Sequence, residues 1–110
     1  MIALLFLTLT IFSLTFAADK DIVKTQGIIM AIEFVKNSMV VNERLVVWDQ
    51  QTLFNDDKGK LITVDQLKVE NWVYLEGVYD KGKKRVLASK IYLLPKCIDE
   101  KQKHRYPFMQ

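Results

Sequence analysis

The chain has 110 residues, of which 26% are charged, with a net charge of +3 at pH 7 and a single cysteine, Cys97. This length allows one small domain. It disfavours a deeply buried active site, because a chain of this size buries only roughly 60–65% of its unfolded surface. The lone cysteine excludes an internal disulfide, so the domain must be stable without one.

The N-terminal segment is apolar and carries no charged side chain between Ile2 and Ala18, whereas charges begin abruptly at Asp19. This pattern is typical of a secretory signal peptide. Thr15 and Ala17 supply the small side chains that are expected before a cut after Ala17. The sequence therefore predicts a signal peptide at residues 1–17 and an exported protein, either periplasmic or extracellular.

The alternative is that the N-terminal segment stays on the protein and tethers it to a membrane. Its length is near the lower limit of about 17–25 residues for a spanning helix. It also contains four Ser or Thr side chains, which weaken it as a membrane anchor. Cleavage is therefore favoured over tethering.

Beyond the signal, apolar residues recur in short runs rich in β-branched and aromatic side chains, which is typical of strands. The predicted strands cover residues 22–35, 39–41, 45–48, 52–54, 72–79 and 85–94. Thr63 and Gln66 fit a capping box, which predicts one helical turn before the fifth strand. Gly27 predicts a bulge or bend inside the first strand. Gly82 is predicted to adopt a positive φ in the last hairpin.

The short turns between these strands limit the architecture. Parallel crossovers need a dozen or more residues, so an α/β sheet is excluded. A lone open sheet would leave its edges exposed, and a closed or nearly closed barrel avoids this. We predict an all-β domain at residues 18–95, a barrel of five to six strands with one short helical turn. A basic, loosely ordered C-terminal tail is predicted at residues 96–110.

The apolar segments also follow one another in a familiar order. The segments concerned are Gly27–Ile32, Met39–Val41, Leu67–Gly77, and Ala88 with Ile91. Their order resembles the small OB-like barrel domain of exported bacterial proteins catalogued as domain of unknown function 5666. The resemblance implies an OB-like fold and an exported location, and it implies no catalytic residue. Glu70 and Asn71 replace a glycine and an aspartate of that family. Because Asn adopts the left-handed region more readily than Glu, we expect the turn to shift by one residue.

No combination of residues in the sequence indicates catalysis or a metal site. The only histidine, His104, has no second His or Cys near it in the sequence, as a metal site would need. The segment Asn55–Gly59 begins like a calcium loop but lacks the spacing and the closing glutamate, so it is predicted to be a hairpin tip. We therefore predict no catalytic residue, no metal, no cofactor and no enzymatic activity.

Trp72 and Tyr74 form the first candidate contact face. The family pattern places Val73 and Leu75 towards the core, so Trp72 and Tyr74 lie on the opposite face of the strand. Exposed aromatic side chains on an OB-type barrel stack on the bases of single-stranded nucleic acid or on sugars, or they contact a partner protein. Alternatively, the C-terminal tail covers them.

The second candidate is a basic cluster, predicted to bind polyanions, at the turn before the last strand. Residues 18–79 contain seven basic and ten acidic residues, whereas residues 80–110 contain nine basic and three acidic ones. The cluster consists of Lys81, Lys83, Lys84 and Arg85. Outside the cytoplasm, anionic lipid or acidic glycan is favoured over nucleic acid as its partner. The alternative is that these are solvated turn residues without a ligand.

These features together predict an exported, non-enzymatic binding or interaction module of the cell envelope. The alternative is an accessory domain or subunit of a larger envelope complex, in contact with its partner protein through the Trp72/Tyr74 face.

The first prediction concerns the signal. We expect the mature protein to begin at Ala18, because the cut after Ala17 fits the small-residue rule. Intact-mass measurement of protein recovered from an exporting host tests this. A membrane-bound product that retains Met1 would show that the segment is an anchor.

Overall fold

A computed structural model describes residues 21–109, so the predicted signal at residues 1–17 lies outside the described residues. The strands are β1 (Asp21–Glu33), β2 (Ser38–Val41), β3 (Arg44–Val47), β4 (Leu53–Asp56), β5 (Trp72–Asp80) and β6 (Arg85–Leu94). Short 3-10 helices occupy Val64–Gln66, Glu100–Arg105 and Pro107–Met109. Within residues 21–109, no helix has the length and apolar character needed to cross a membrane.

The six strands form one sheet in the order β3-β2-β1-β5-β6-β4, and β3 also pairs with β6. This additional pairing closes five strands into a barrel, and β4 is added to β6 as the sixth strand. The β3–β6 and β4–β6 pairs are parallel and the other pairs are antiparallel. The predicted all-β fold with a five- to six-stranded barrel is confirmed.

Strand β1 pairs with two different strands along its length. Its residues Asp21–Ile28 pair with β5, and the residues from Ile29 onwards pair with β2, with an irregularity between Ile29 and Ala31. A Cβ atom at Gly27 would lie 2.6 Å from Asn42 Nδ2, so glycine is needed for the end of β2 to approach this closely. The predicted irregularity inside the first strand is present, but it lies between Ile29 and Ala31, whereas Gly27 pairs regularly with Val73.

Strand β6 is also shared, along a single edge. Its N-terminal part pairs with β3 at Val86 and Leu87, and its C-terminal part pairs with β4 over residues 90–93. Its register with β5 shifts between Glu76 and Gly77. At Gly77 a Cβ atom would clash with the Leu87 carbonyl oxygen, so this close backbone approach requires glycine.

The barrel interior is filled by one cluster of buried side chains. Its members are Ile29, Met39, Val41, Val46, Trp48, Leu67, Val73, Leu75, Val86, Ala88 and Ile91. Val73 and Leu75 are 0% and 1% exposed, so the predicted inward phase of β5 is correct. Phe34 and Phe54 make edge contacts with Trp48 at ring-centroid distances of 6.5 and 6.0 Å.

Several turn predictions are wrong in detail. Glu70 itself adopts the left-handed conformation, with φ 76°, because its N–H donates to the Ile29 carbonyl at 2.8 Å. In the last hairpin Lys84, at φ 53°, takes the positive φ that was expected at Gly82. The helical turn at Val64–Gln66 is present, but Thr63 makes no capping bond to its backbone. The Thr63 hydroxyl bonds to the Asp65 carboxylate instead.

The second prediction compares two Val→Asp substitutions in β5. Val73→Asp places an unpaired charge in the core, so we expect a loss of about 3–5 kcal/mol in unfolding free energy. Val78 lies on the outer face, where its side chain is 38% exposed. We therefore expect Val78→Asp to lower the unfolding free energy by about 1 kcal/mol or less. Urea denaturation of both variants tests this, and equal losses would contradict the observed strand phase.

Candidate interaction surfaces

The C-terminal segment is folded against the barrel, which differs from the predicted loosely ordered tail. Ile98 is only 1% exposed. The Gln26 side-chain amide holds it by donating to the Ile98 carbonyl and accepting from the Ile98 N–H, the latter at 2.9 Å. The Asp99 side chain accepts from the Gln102 N–H and so begins the helix Glu100–Arg105. We call residues 98–109 the C-terminal cover.

The C-terminal cover encloses the predicted aromatic contact face. Phe108 stacks on Tyr92 with a ring-centroid distance of 3.9 Å and an interplanar angle of 5°. Phe108 also lies 5.7 Å from the Tyr74 ring, and Tyr74 is only 5% exposed. Trp72 is partly buried against the same cluster. The prediction of Trp72 and Tyr74 as an open contact face is therefore wrong for Tyr74, and the alternative of a covering tail is correct.

Burial changes the acid–base chemistry of Tyr74. Its hydroxyl donates to Glu76 Oε2 at 3.1 Å. Desolvation by burial, assisted by the negative charge of Glu76, raises the pKa of Tyr74 from 10.0 to about 12. The neutral phenol is thus the form that the folded protein favours.

The basic hairpin is built around an acidic residue. Asp80 Oδ1 accepts from the Gly82 N–H at 3.0 Å and from the Lys83 N–H at 3.3 Å, which fixes the turn. Lys81 Nζ lies 3.7 Å from Asp21 Oδ2 in β1. Lys83 and Lys84 are exposed and Arg85 is half-buried. Of the four predicted cationic residues, Lys81 is thus already engaged in an ion pair.

An exposed apolar row lies beside the basic hairpin. Ile22 pairs with Val78 across β1 and β5, and Val78 pairs with Leu87 across β5 and β6. Their exposures are 69%, 38% and 43% respectively. Because directly opposed residues have Cβ atoms about 4.5–5.5 Å apart, the three side chains form one contiguous strip. We call Ile22, Val78 and Leu87 the outer apolar row.

The outer apolar row and the basic hairpin share a surface pocket. It has a volume of about 490 Å³ and is lined by Val78 and Leu87 together with Lys81 and Arg85. Asp21 and Asp80 also line it. The pocket thus combines apolar contact with charges of both signs, and the cationic residues Lys83 and Lys84 lie in the same hairpin.

The other sequence candidates are structural. Asp56 Oδ1 accepts from the backbone N–H groups of Lys58 and Lys60 at 2.9 Å, so residues 55–59 form a hairpin tip. These bonds, the one from Lys60 first, hold the pKa of Asp56 below its usual value. His104 Nδ1 lies 3.0 Å from the Lys101 carbonyl, and Cys97 is an exposed free thiol. Residues 21–109 contain no group of three or more His, Cys, Asp or Glu that could hold a metal ion.

Comparison with known proteins shows similarity in fold. No protein-family model matches the chain, and no curated protein does. Residues 6–88 of apo-CusF from Escherichia coli are similar at TM-score 0.50 and 11% identity, over 69% of this chain and 90% of that one. The CusF–Ag(I) structure gives a TM-score of 0.53, also at 11% identity, over 70% of this chain and 96% of that one.

A fimbrial biogenesis protein, PilY2 from Pseudomonas aeruginosa PAO1, is similar at TM-score 0.54 and 15% identity, over 76% of this chain and 91% of PilY2. At these identities the similarity concerns the fold alone.

The silver ion of one neighbour prompts a comparison with the soft ligands of this chain. Monovalent coinage metals favour thiolate and thioether groups. Here Met39 is enclosed in the barrel core, whereas Met109 packs in the C-terminal cover. The third methionine of residues 21–109, Met30, is 51% exposed and belongs to neither cluster, so the three thioethers do not lie in one cluster.

The third prediction follows from the pKa of Tyr74. A raised phenol pKa contributes stability that is present below pH 10, and this stability is lost as the pH rises towards 12, because the unfolded state ionises first. We expect the melting temperature of the wild type to fall more steeply between pH 10 and pH 12 than that of Tyr74→Phe. Parallel slopes would contradict the assignment.

Proposed function

We propose that this protein is an exported, non-enzymatic interaction module of the cell envelope that docks on an anionic membrane surface. The observation that carries the proposal is the outer apolar row directly beside the basic hairpin. Lys83, Lys84 and Arg85 make no ion pair with a described residue. They can therefore meet lipid phosphates while the apolar row contacts the acyl boundary, as amphipathic interfacial segments do.

The lipid proposal is more specific than a general affinity for polyanions. Each Lys or Arg near an anionic leaflet is worth about 1 kcal/mol. A purely electrostatic patch would bind an acidic glycan equally well. The exposed side chains of Ile22, Val78 and Leu87 add an apolar surface that can be buried at the acyl boundary of a membrane. A glycan has no such boundary, so these side chains favour a lipid interface.

A second candidate function is an accessory subunit of a larger envelope complex. The Trp72/Tyr74 face was the expected contact for it, but the C-terminal cover occupies that face. The observation that supports this candidate is instead the open side of β1, whose residues before Ile28 pair only with β5.

The fourth prediction tests the membrane proposal with vesicles. The wild type should bind an equimolar mixture of phosphatidylglycerol and phosphatidylcholine but not pure phosphatidylcholine. Lys83→Glu/Lys84→Glu should weaken binding by roughly 30-fold or more, since two favourable charges of about 1 kcal/mol each are removed and reversed. Its melting temperature should stay close to that of the wild type, because turn lysines contribute little to stability.

The matched control is Lys58→Glu/Lys60→Glu, which makes the same change in charge in and next to the hairpin tip formed by residues 55–59. It should bind the vesicles almost as the wild type does. Leu87→Thr should weaken vesicle binding and leave heparin binding unchanged, and this separates lipid from acidic glycan. Vesicle binding that survives Lys83→Glu/Lys84→Glu at high salt would contradict the proposal.

A further inference from the structure

The N-terminal half of β1 has a strand on one side only. Residues 21–28 pair with β5, and pairing with β2 begins at Ile29. On the other side of this half of β1, the barrel wall continues with β3, which begins at Arg44. Strand β3 pairs with β6 only at Val46 and Val47. Among the described residues, no strand fills the space between residues 22–25 of β1 and the start of β3.

The free side of β1 carries main-chain hydrogen-bonding groups. The Ile28 N–H donates to Asn42 Oδ1 at 3.1 Å, and the Ile28 carbonyl accepts from the Asn42 N–H at 3.2 Å. Ile28 therefore points its N–H and C=O away from β5. Because this direction alternates along a strand, the peptide groups of Lys24 and Ile22 point to the same free side.

At this edge the Asn42 side-chain amide forms the two hydrogen bonds that a backbone peptide group of a neighbouring strand would form. Its Oδ1 accepts from the Ile28 N–H, and its Nδ2 donates to the Gln26 carbonyl at 3.3 Å. The ladder on this side of β1 is thus continued by one amide beyond the end of β2. Lys24 and Ile22, the next two residues on that side, have no such partner among residues 21–109.

A pocket adjoins the same edge. It has a volume of about 460 Å³ and is lined by residues of β1, β2, β3, β5, β6 and the β2–β3 turn. Its apolar lining includes Val46, Leu75 and Val86, each 1% exposed and part of the barrel core. The charged residues that line it are Lys24 and Arg44, both basic.

We propose that the edge of β1 at residues 22–26 binds an extended segment of a partner protein by strand addition. The segment would exchange main-chain hydrogen bonds with Ile22 and Lys24, place apolar side chains in the pocket, and present an acidic side chain to Lys24 or Arg44. Strand addition obtains affinity from main-chain bonds and specificity from alternate side-chain pockets. The two basic residues in the lining favour an acidic, partly apolar segment.

The charges also argue against a second copy of the chain as the occupant. A symmetric pairing of two β1 edges would bring two sets of Lys24 and Arg44 side chains to one interface, and like charges at that distance repel. The proposal rests on the interaction role given above, but it uses a surface other than the basic hairpin.

The test uses the protein recovered from an exporting host and a phage-displayed library of random eight-residue peptides as the probe. We expect the selected peptides to alternate apolar with acidic residues. Their dissociation constants are then measured on three proteins: wild type, Lys24→Ala and Lys24→Pro. Lys24→Ala removes the charge only, whereas Lys24→Pro also removes the edge N–H and places its ring on the free side.

We expect Lys24→Ala to weaken binding by roughly 5-fold and Lys24→Pro by roughly a further 10-fold, since a main-chain bond is lost and the edge is blocked. Both variants should have melting temperatures close to that of the wild type, because the Lys24 N–H does not take part in the β5 ladder. Ile22→Pro, on the same side of the strand, carries the same expectation if Lys24→Pro fails to fold.

Three outcomes would overturn the proposal. They are a selection that enriches no peptide, peptides that bind Lys24→Pro as tightly as Lys24→Ala, and dimerisation of the wild type that Lys24→Pro abolishes. The last would make a second copy the occupant. Vesicle binding by Lys24→Pro is measured in parallel, so that failure at this edge is distinguished from failure of the membrane proposal.

Discussion

The division of β1 between two neighbours allows the five strands to close into a barrel. Thirteen residues form this strand, and it pairs first with β5 and then with β2. The change of partner occurs where Gly27 lets Asn42 approach the backbone and where the Glu70 N–H and the Asn71 carbonyl bond to Ile29. Without this change of partner, β1, β2 and β5 would form an open sheet with exposed edges.

The same division places the candidate surfaces at one end of the barrel. Asp21 meets Lys81 of the basic hairpin, Ile22 begins the outer apolar row, and Lys24 lines the pocket at the open edge. The C-terminal cover lies over the residues of β5 and β6 that include Tyr74 and Tyr92, and it also reaches β1, where Gln26 holds Ile98 and Lys24 lines a pocket with Met109. The same strands thus carry the cover at the level of Tyr74 and Tyr92 and, further along, the outer apolar row beside the basic hairpin.

The strands could be predicted from sequence because their signal is local. Runs such as Trp72–Tyr79 combine β-branched and aromatic residues with clear turns on both sides, and their inward phase at Val73 and Leu75 was correct. The barrel closure was predicted only in outline, because the parallel β3–β6 pairing joins residues forty positions apart, Val46 with Val86. Nothing in either segment identifies its partner.

The errors have a common physical origin in long-range contacts. Glu70 adopts a positive φ because Ile29 fixes its N–H, and residue preference alone favours Asn71. The C-terminal segment is polar and without period, yet Ile98 and Phe108 anchor it. The tail aromatics Tyr106 and Phe108 were the available signal for this docking. The open edge of β1 could not be predicted from sequence, since it depends on where β2 ends in space.

A free hydrogen-bonding edge of β1 before Gln26 should be visible in the exchange of its amides. Residue-resolved amide hydrogen exchange of the free, monomeric protein tests it most directly. We expect slow exchange at Val23 and Thr25, whose N–H groups face β5, and fast exchange at Ile22 and Lys24. Equal protection of all four amides in the monomer would contradict it, because an unpaired edge cannot protect its own N–H groups.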